Sequence, residues 1–518
     1  MVFKSKYFIV LLLYISIASC KKKDKSIDNL GVVEFQVTGS QEAHNHFEKG
    51  LLLLHSFEYE DAREAFLEAQ KTDPNMAMAY WGEAMTYNHS LWGEQDYEAG
   101  SSAVQKVKSL QEKHDYSTIE KGFLQAVEVL YTPKTPKIDR DIAYKEYMKF
   151  LHETHPENQE IAAFYAISLL GSVPEGRDDA VYEEGAEIAK KVLDKNPKHP
   201  GALHYLIHSY DDPYHAELAF DAANSYSKVA PDASHALHMP SHIYVALGMW
   251  DEVIASNIES YQASLNRMKR KSLDNDARGF HAFHWLQYGY LQKPDFEKAK
   301  QMVLDMEQFL KESPTDRIKT YLMFLKGTYL VESNQWNSDI ANIDVNVSNL
   351  NLTVQAQFHF TEGYRAFLNG NIQKIEKVID TLSQKIGKES VLVDNLDNGF
   401  TMCSSLSRNS PTKLDVKQSQ VMLKQLQGLK AWMEKDLIKA EELLKESTIL
   451  EQGISYSYGP PVIIKPTSEL YAEWLVEQNR YDEAIEQYNI TLERATKRRL
   501  ALEGIEKATK LKVSTNDF

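Results

Sequence analysis

At 518 residues the chain is longer than one hydrophobic core can serve, so it either splits into domains or repeats a unit that contacts only its neighbours. Its 43% apolar and 25% charged residues are ordinary proportions for a soluble protein, which argues against a disordered or membrane-embedded chain. The net charge of −16 argues against a nucleic-acid partner, which calls for a basic surface, and offers no cationic face to a membrane.

The N-terminus reads as an export signal. Lys4 and Lys6 precede an apolar run from Tyr7 to Ile15, and small residues lead to Cys20, so 1–19 has the layout of a secretory signal peptide. The run is shorter than the ~20 residues of a spanning helix. Ile17-Ala18-Ser19-Cys20 resembles the lipobox of bacterial lipoproteins, which implies that Cys20 is acylated as the first mature residue. Such an anchor would tie an exported protein to a bacterial membrane. The lysines behind Cys20 resemble lipoprotein export signals and point to the outer membrane, on its periplasmic or cell-surface side. Residues 21–28 are too polar to fold alone, and 20–40 is expected to be a charged tether. With Cys20 acylated, Cys403 has no disulfide partner and reads as a loop or packing thiol.

From residue 41 the sequence repeats. Gly50, Ala62, Phe66, Ala69 and Pro74 stand where small residues let two helices approach, an aromatic fills the groove, and proline ends the second helix. Ala219, Ala223, Tyr226 and Pro231 keep that spacing, as do Ala472, Leu475, Ala484, Tyr488 and Leu492. Gly428, Ala431, Ala440 and Leu444 keep it more loosely. These residues resemble the tetratricopeptide repeat (TPR) pattern over most of 41–510. The resemblance implies an all-α helical-hairpin solenoid, a right-handed superhelix of about a dozen hairpins with a few irregular loops. Its expected divisions are N-terminal units at 41–131, central units with a histidine cluster at 138–331, and C-terminal units at 354–510. Residues 132–136 and 171–177 read as turns, and 332–353 and 387–411 as irregular stretches. Residues 453–467, aromatic and apolar, are expected to pack across the groove beside a helix at 465–478.

His204/His208 and His238/His242 are one i, i+4 pair written twice, 34 residues apart. The spacing puts both rings of a pair on one helix face. Neighbouring helices ~8–10 Å apart let the pairs converge. In the TPR family, positions 2, 5, 9, 12 and 13 of each first helix face the concave side. Carried onto this chain, His204 and His238 take position 5, His208 and His242 position 9, His235 position 2 and Asp212 position 13. The next recognisable unit puts His281, His284 and Tyr288 at 2, 5 and 9. His55 and His89 take position 13 of earlier units, and Glu469 and Glu473 take 5 and 9 near the C-terminus. Met239-Pro240 starts or kinks a helix there and frees backbone carbonyls.

Three readings stay open. In the first, His204, His208, His238 and His242 hold a zinc-like divalent transition metal, with Asp211 or Asp212 to complete the set. The pairs lack the intervening glutamate of HExxH. In the second, the histidines, Asp212 and Tyr288 line a metal-free pocket that grips a small anion, sugar or peptide carboxylate. The Lys, Arg and Asn with which TPR relatives clamp carboxylates are missing from these positions. In the third, the rings satisfy one another in a narrow interior. There is no Gly-rich phosphate loop or GxSxG elbow, and the spacing does not select Ser241, His242 and Asp212 as a triad, so the chain reads as a binding protein rather than an enzyme. The motifs Ala77-Met78-Ala79-Tyr80-Trp81-Gly82-Glu83-Ala84, His238-Met239-Pro240-Ser241-His242-Ile243 and Tyr458-Gly459-Pro460-Pro461 resemble a group of bacterial TPR lipoproteins. The expected function is an exported, membrane-anchored TPR lipoprotein binding a peptide, partner protein or small ligand in a histidine-rich concave groove. The alternative is a metal-binding protein or metal-dependent enzyme.

Overall fold

The structure, a computed structural model, describes residues 29–174, 176–393 and 411–516. The signal segment, Cys20, the tether through residue 28 and Cys403 lie outside the described residues.

Helices follow one another as hairpins: Gln41–His55 with Tyr59–Thr72, Ala77–Met85 with Tyr97–Gln111, Thr118–Leu130 with Lys137–Thr154, and Gln159–Gly171 with Asp179–Lys195. The central hairpins are Pro200–Ser209 with Phe220–Val229, the broken helix Ser234–His238/Pro240–Ala246 with Trp250–Lys271, and Phe280–Gln292 with Phe296–Glu312. After Asp316–Ser333 come Leu352–Leu368 with Ile372–Val393, Lys413–Met433 with Leu437–Gln452, Thr467–Glu477 with Tyr481–Arg494, and the closing helix Arg499–Asn516. The one strand pair among the described residues is Asn88–His89 with Glu94–Gln95. This is an all-α helical-hairpin solenoid. None of the described helices is long and apolar enough to cross a membrane.

The small-residue rule works as the packing argument requires. A Cβ on Gly50 would meet the Phe66 ring at 2.7 Å, and one on Gly82, in the next hairpin, at 2.3 Å. One aromatic ring therefore fills the groove between consecutive units only because both neighbours lack side chains. Ser117 with Glu120 and Thr412 with Asp415 form capping boxes, and Asp96, Asn158, Asp178 and Asp295 cap four more helices.

Two segments differ from expectation. Residues 29–40 are not a free tether. Leu30, Val33 and Val37 are buried, Phe35 packs against Phe47 and Phe123, the Val32 amide donates to the Lys198 carbonyl at 2.9 Å, and the Thr38 hydroxyl donates to Glu120. These apolar residues, too few to register in a composition, hold the strap to the solenoid. The helix Ile372–Val393 also runs past Gly387, where irregular chain was expected. Buried Ile375, Val378, Leu382 and Ile386 keep helical spacing up to it, and 394–410 lie outside the described residues.

The superhelix is tight enough for distant repeats to meet. Tyr226 donates to Ser56 at 3.0 Å, and Arg267 and Lys271 both bond Asp61. Toward the other end, Arg498 ties Glu469 to Glu332 across the interior. These ties cross the interior of the solenoid.

Candidate functional site

Three successive first helices carry the histidines. Pro200–Ser209, capped by His199, presents His204 and His208. The next helix breaks at Met239-Pro240 and presents His238 and His242 on its two halves. Pro240 turns the local bonding to the i+3 type, with the His242 amide donating to the Met239 carbonyl at 3.1 Å. The His238 carbonyl freed by this accepts from the Ser241 hydroxyl at 2.7 Å, so it is not offered to a ligand. Phe280–Gln292 then brings in His281.

The rings form two sets of three. Nitrogens of His204, His208 and His235 lie within 4.8 Å of one another, and so do those of His238, His242 and His281. The sets adjoin where His208 meets His242 edge-on, with ring centroids 5.3 Å apart.

The outer nitrogens are tied. His204 Nδ1 donates to the His55 carbonyl at 2.7 Å. His238 Nδ1 donates to Asn257 Oδ1 at 2.7 Å, and the Asn257 amide is itself fixed by donating to the Val253 carbonyl at 2.8 Å. His208 and His242 both reach the same oxygen, Asp211 Oδ2, at 3.1 Å from Nδ1. A carbonyl or carboxylate oxygen accepts, so each Nδ1 carries the proton and each Nε2 presents a lone pair. The Nε2 atoms of His208, His238 and His242 are buried with no hydrogen-bond partner. The remaining inner contact, His204 Nε2 to His235 Nε2 at 3.2 Å, requires the proton on His235. A buried polar atom left unpaired costs about 1–3 kcal/mol, so three in one place need a cause.

Electrostatics agree with the tautomers. Burial pushes His204 and His242 well below the ordinary imidazole range, and the neighbouring rings, His208 beside the first and His238 beside the second, push the same way. His235 and His281 are lowered by the same causes, and burial takes His238 to about 4. These rings are neutral at physiological pH, the form in which imidazole binds metal. Burial raises the Asp211 carboxyl, and His208 and Arg177 pull it back.

Aromatic rings wall the site. Phe57 lies 4.3 Å from His204 and stacks on His208 at 6.1 Å. Trp285 stacks on His242 at 4.6 Å. The 453–466 loop packs over the second set, with Tyr458 4.7 Å from His242. Gly459 is in the left-handed region (φ +92°), and a Cβ there would stand 2.3 Å from Trp285 Cζ2, so only glycine lets the loop lie this close. A cleft opens beside it, lined in part by His281, His284, Trp285 and Tyr458. A larger one, past the loop at Trp250, Tyr288 and Arg494, has no histidine in its wall.

The other expected residues fall outside the ring sets. Asp212 pairs with His215 at 2.8 Å and with Arg177 at 3.2 Å. His284 bonds Thr328 at 3.1 Å and stacks on Phe324, and Tyr288 accepts from Arg498 at 3.3 Å. Glu469 and Glu473 both bind Lys465. His89 stacks on Tyr59 at 4.0 Å. His55 belongs to a third cluster with Glu160 and His199, and there every ring nitrogen is satisfied: Glu160 bonds both Nε2 atoms at 2.8 and 3.1 Å, Tyr205 bonds His55 Nδ1, and the Ala202 amide donates to His199 Nδ1. That cluster is structural. The residues that sequence reasoning missed are Asn257, Phe57 and the double role of Asp211, whose only signal was its position three after His208.

No family model matches the sequence, and no curated protein does. Solved structures similar to this chain include the hetero-tetramer of Cut9 and Hcn1 from the APC/C (12% identity, 93% of this chain and 79% of that chain, TM-score 0.39). Others are the P58(IPK) TPR domain (15%, 92% and 99%, TM-score 0.21) and a human IFIT1 dimer with PPP-AAAA (14%, 83% and 95%, TM-score 0.34).

Proposed function

We propose that this chain is an exported, lipid-anchored TPR protein whose interior binds a late first-row transition metal through imidazole nitrogens. The observation behind it is the set of three buried, partnerless Nε2 atoms on rings whose Nδ1 sides are tied, the arrangement in which a second shell fixes metal-ligating histidines. The saturated His55/Glu160/His199 cluster nearby shows that this fold can satisfy buried histidines without an ion. The all-nitrogen donor set suits zinc, copper or nickel rather than magnesium or calcium. The solenoid keeps an extended surface of the sort on which repeat proteins dock partners. At the histidines the Phe57, Trp285 and Tyr458 rings pack close, and a peptide would have to displace the 453–466 loop.

Elemental analysis after incubation with Zn²⁺ or Cu²⁺ and gel filtration tests the reading. Stoichiometric metal in the wild type, lost in His238→Ala/His242→Ala with helical circular dichroism unchanged, is the expected result. Wild-type protein that elutes metal-free sets it aside. The anchor is tested separately: labelled palmitate is expected to enter the wild type and not Cys20→Ala, and equal labelling of both would remove the lipoprotein assignment.

A further inference from the structure

Resting on the metal reading above, we infer that the centre is dinuclear, with one ion held by His204, His208 and His235 and a second by His238, His242 and His281. The repeat makes this arrangement. Copying one i, i+4 pair by 34 residues gives two equivalent pairs one hairpin apart. Each pair is completed by a ring from the first turn of the following first helix, His235 for the first and His281 for the second. The same three-part recipe is therefore used twice.

Six nitrogens exceed what one tetrahedral ion takes. They divide into two groups, each with its members within 4.8 Å of one another. Bonds of ~2.0–2.1 Å set tetrahedral ligand nitrogens roughly 3.4 Å apart, so modest ring rotation closes either group on an ion once the His235 proton moves from Nε2 to Nδ1. The 5.3 Å His208–His242 ring contact places the two groups side by side.

Asp211 joins the halves. One oxygen of its carboxylate accepts from a ligand of each group, so a single buried side chain orients ligands of both ions. Three nitrogens per ion leave a coordination position open on each, and the cavity beside His281 supplies an approach to the second ion. Among divalent first-row ions, Cu²⁺ binds nitrogen sets most tightly, so the class of ligand is a pair of Cu²⁺ or Zn²⁺ ions.

The test is a count. Full-length protein in detergent micelles is titrated with Cu²⁺ and, separately, with Zn²⁺. Metal per chain is then read by mass spectrometry, and the copper-loaded form is examined by X-ray absorption. Two ions per wild-type chain with scattering from imidazole neighbours, falling to one in His235→Ala and to one in His281→Ala, is the expected result. One ion per wild-type chain overturns the dinuclear assignment and leaves the metal reading standing, whereas no bound ion overturns both. Two ions retained in both variants places the ligands elsewhere and also overturns it. The wild-type count decides even if a variant folds poorly.

Discussion

Arg498→Met is expected to destabilise the C-terminal half of the solenoid by about 3–5 kcal/mol, the cost of removing one member of a buried ionic network. The guanidinium is fully buried and donates to Glu469 at 2.7 and 3.2 Å, to Tyr288 at 3.3 Å and to Glu332. Glu469 also accepts from Lys465 at 2.9 Å, so Arg498 is shared between a helix 29 residues away and one 166 residues away. Without it, Glu332 keeps only Gln292, a neutral donor at 3.0 Å, against a buried carboxylate charge. Burial alone would raise the Glu469 carboxyl, but Arg498 and Lys465 more than offset this and bring it down to about 2. The sign follows from linkage. A carboxyl lowered in the folded state contributes stability above its unfolded value near 4.5, and that contribution is lost as pH falls toward 2, at about 3 kcal/mol for this group. In Arg498→Met that acid-sensitive window is expected to shrink, because Glu469 is no longer held as low. Urea transitions at pH 7 and pH 3.5, with hydrogen exchange read in Asp316–Ser333 and Thr467–Glu477, measure both effects. A variant within about 1 kcal/mol of wild type at pH 7 would show that the network is dispensable.

What the sequence made legible was local, and the reason is physical. Hairpin packing is set by neighbours: Gly50 and Gly82 yield to Phe66 within two units, and the break at 132–136 falls between Leu130 and Lys137 as its prolines require. The histidine pairs were legible because the repeat length itself brings His208 beside His242. The rest of the site depends on the superhelical path, which sums small rotations over many units and cannot be read from one of them. That path brings the His55 carbonyl to His204 Nδ1 across 149 residues and lays Phe57 over the same ring. Asn257 was hidden for another reason. It lies on the second helix of its hairpin, a face that groove positions do not sample, yet its amide sets the tautomer of His238. The 453–467 segment was legible as a packing loop from its aromatics, while its seat depends on one glycine against Trp285.

The shared carboxylate and the unshared amide make different predictions for the two ions. Asp211→Ala removes the acceptor for His208 and His242 together, so it is expected to weaken both ions, each by about 10–100-fold, the usual range for losing an orienting partner of a metal ligand. Asn257→Ala removes the acceptor for His238 alone, so it should weaken one ion by a similar factor and leave the other unchanged. Asp211→Asn keeps an oxygen that can still accept, so its loss should fall between wild type and alanine. Competition against a chromophoric chelator resolves two binding steps in each variant, with thermal melts of the metal-free proteins separating weakened binding from weakened folding. If Asp211→Ala moved only one step, the carboxylate would serve a single ion and the symmetry imposed by the 34-residue repeat would be broken at its centre. If both steps move with Asp211 and only one with Asn257, the two ions share a single buried anion. Their affinities are then coupled through the orientation of two rings that never touch the same metal.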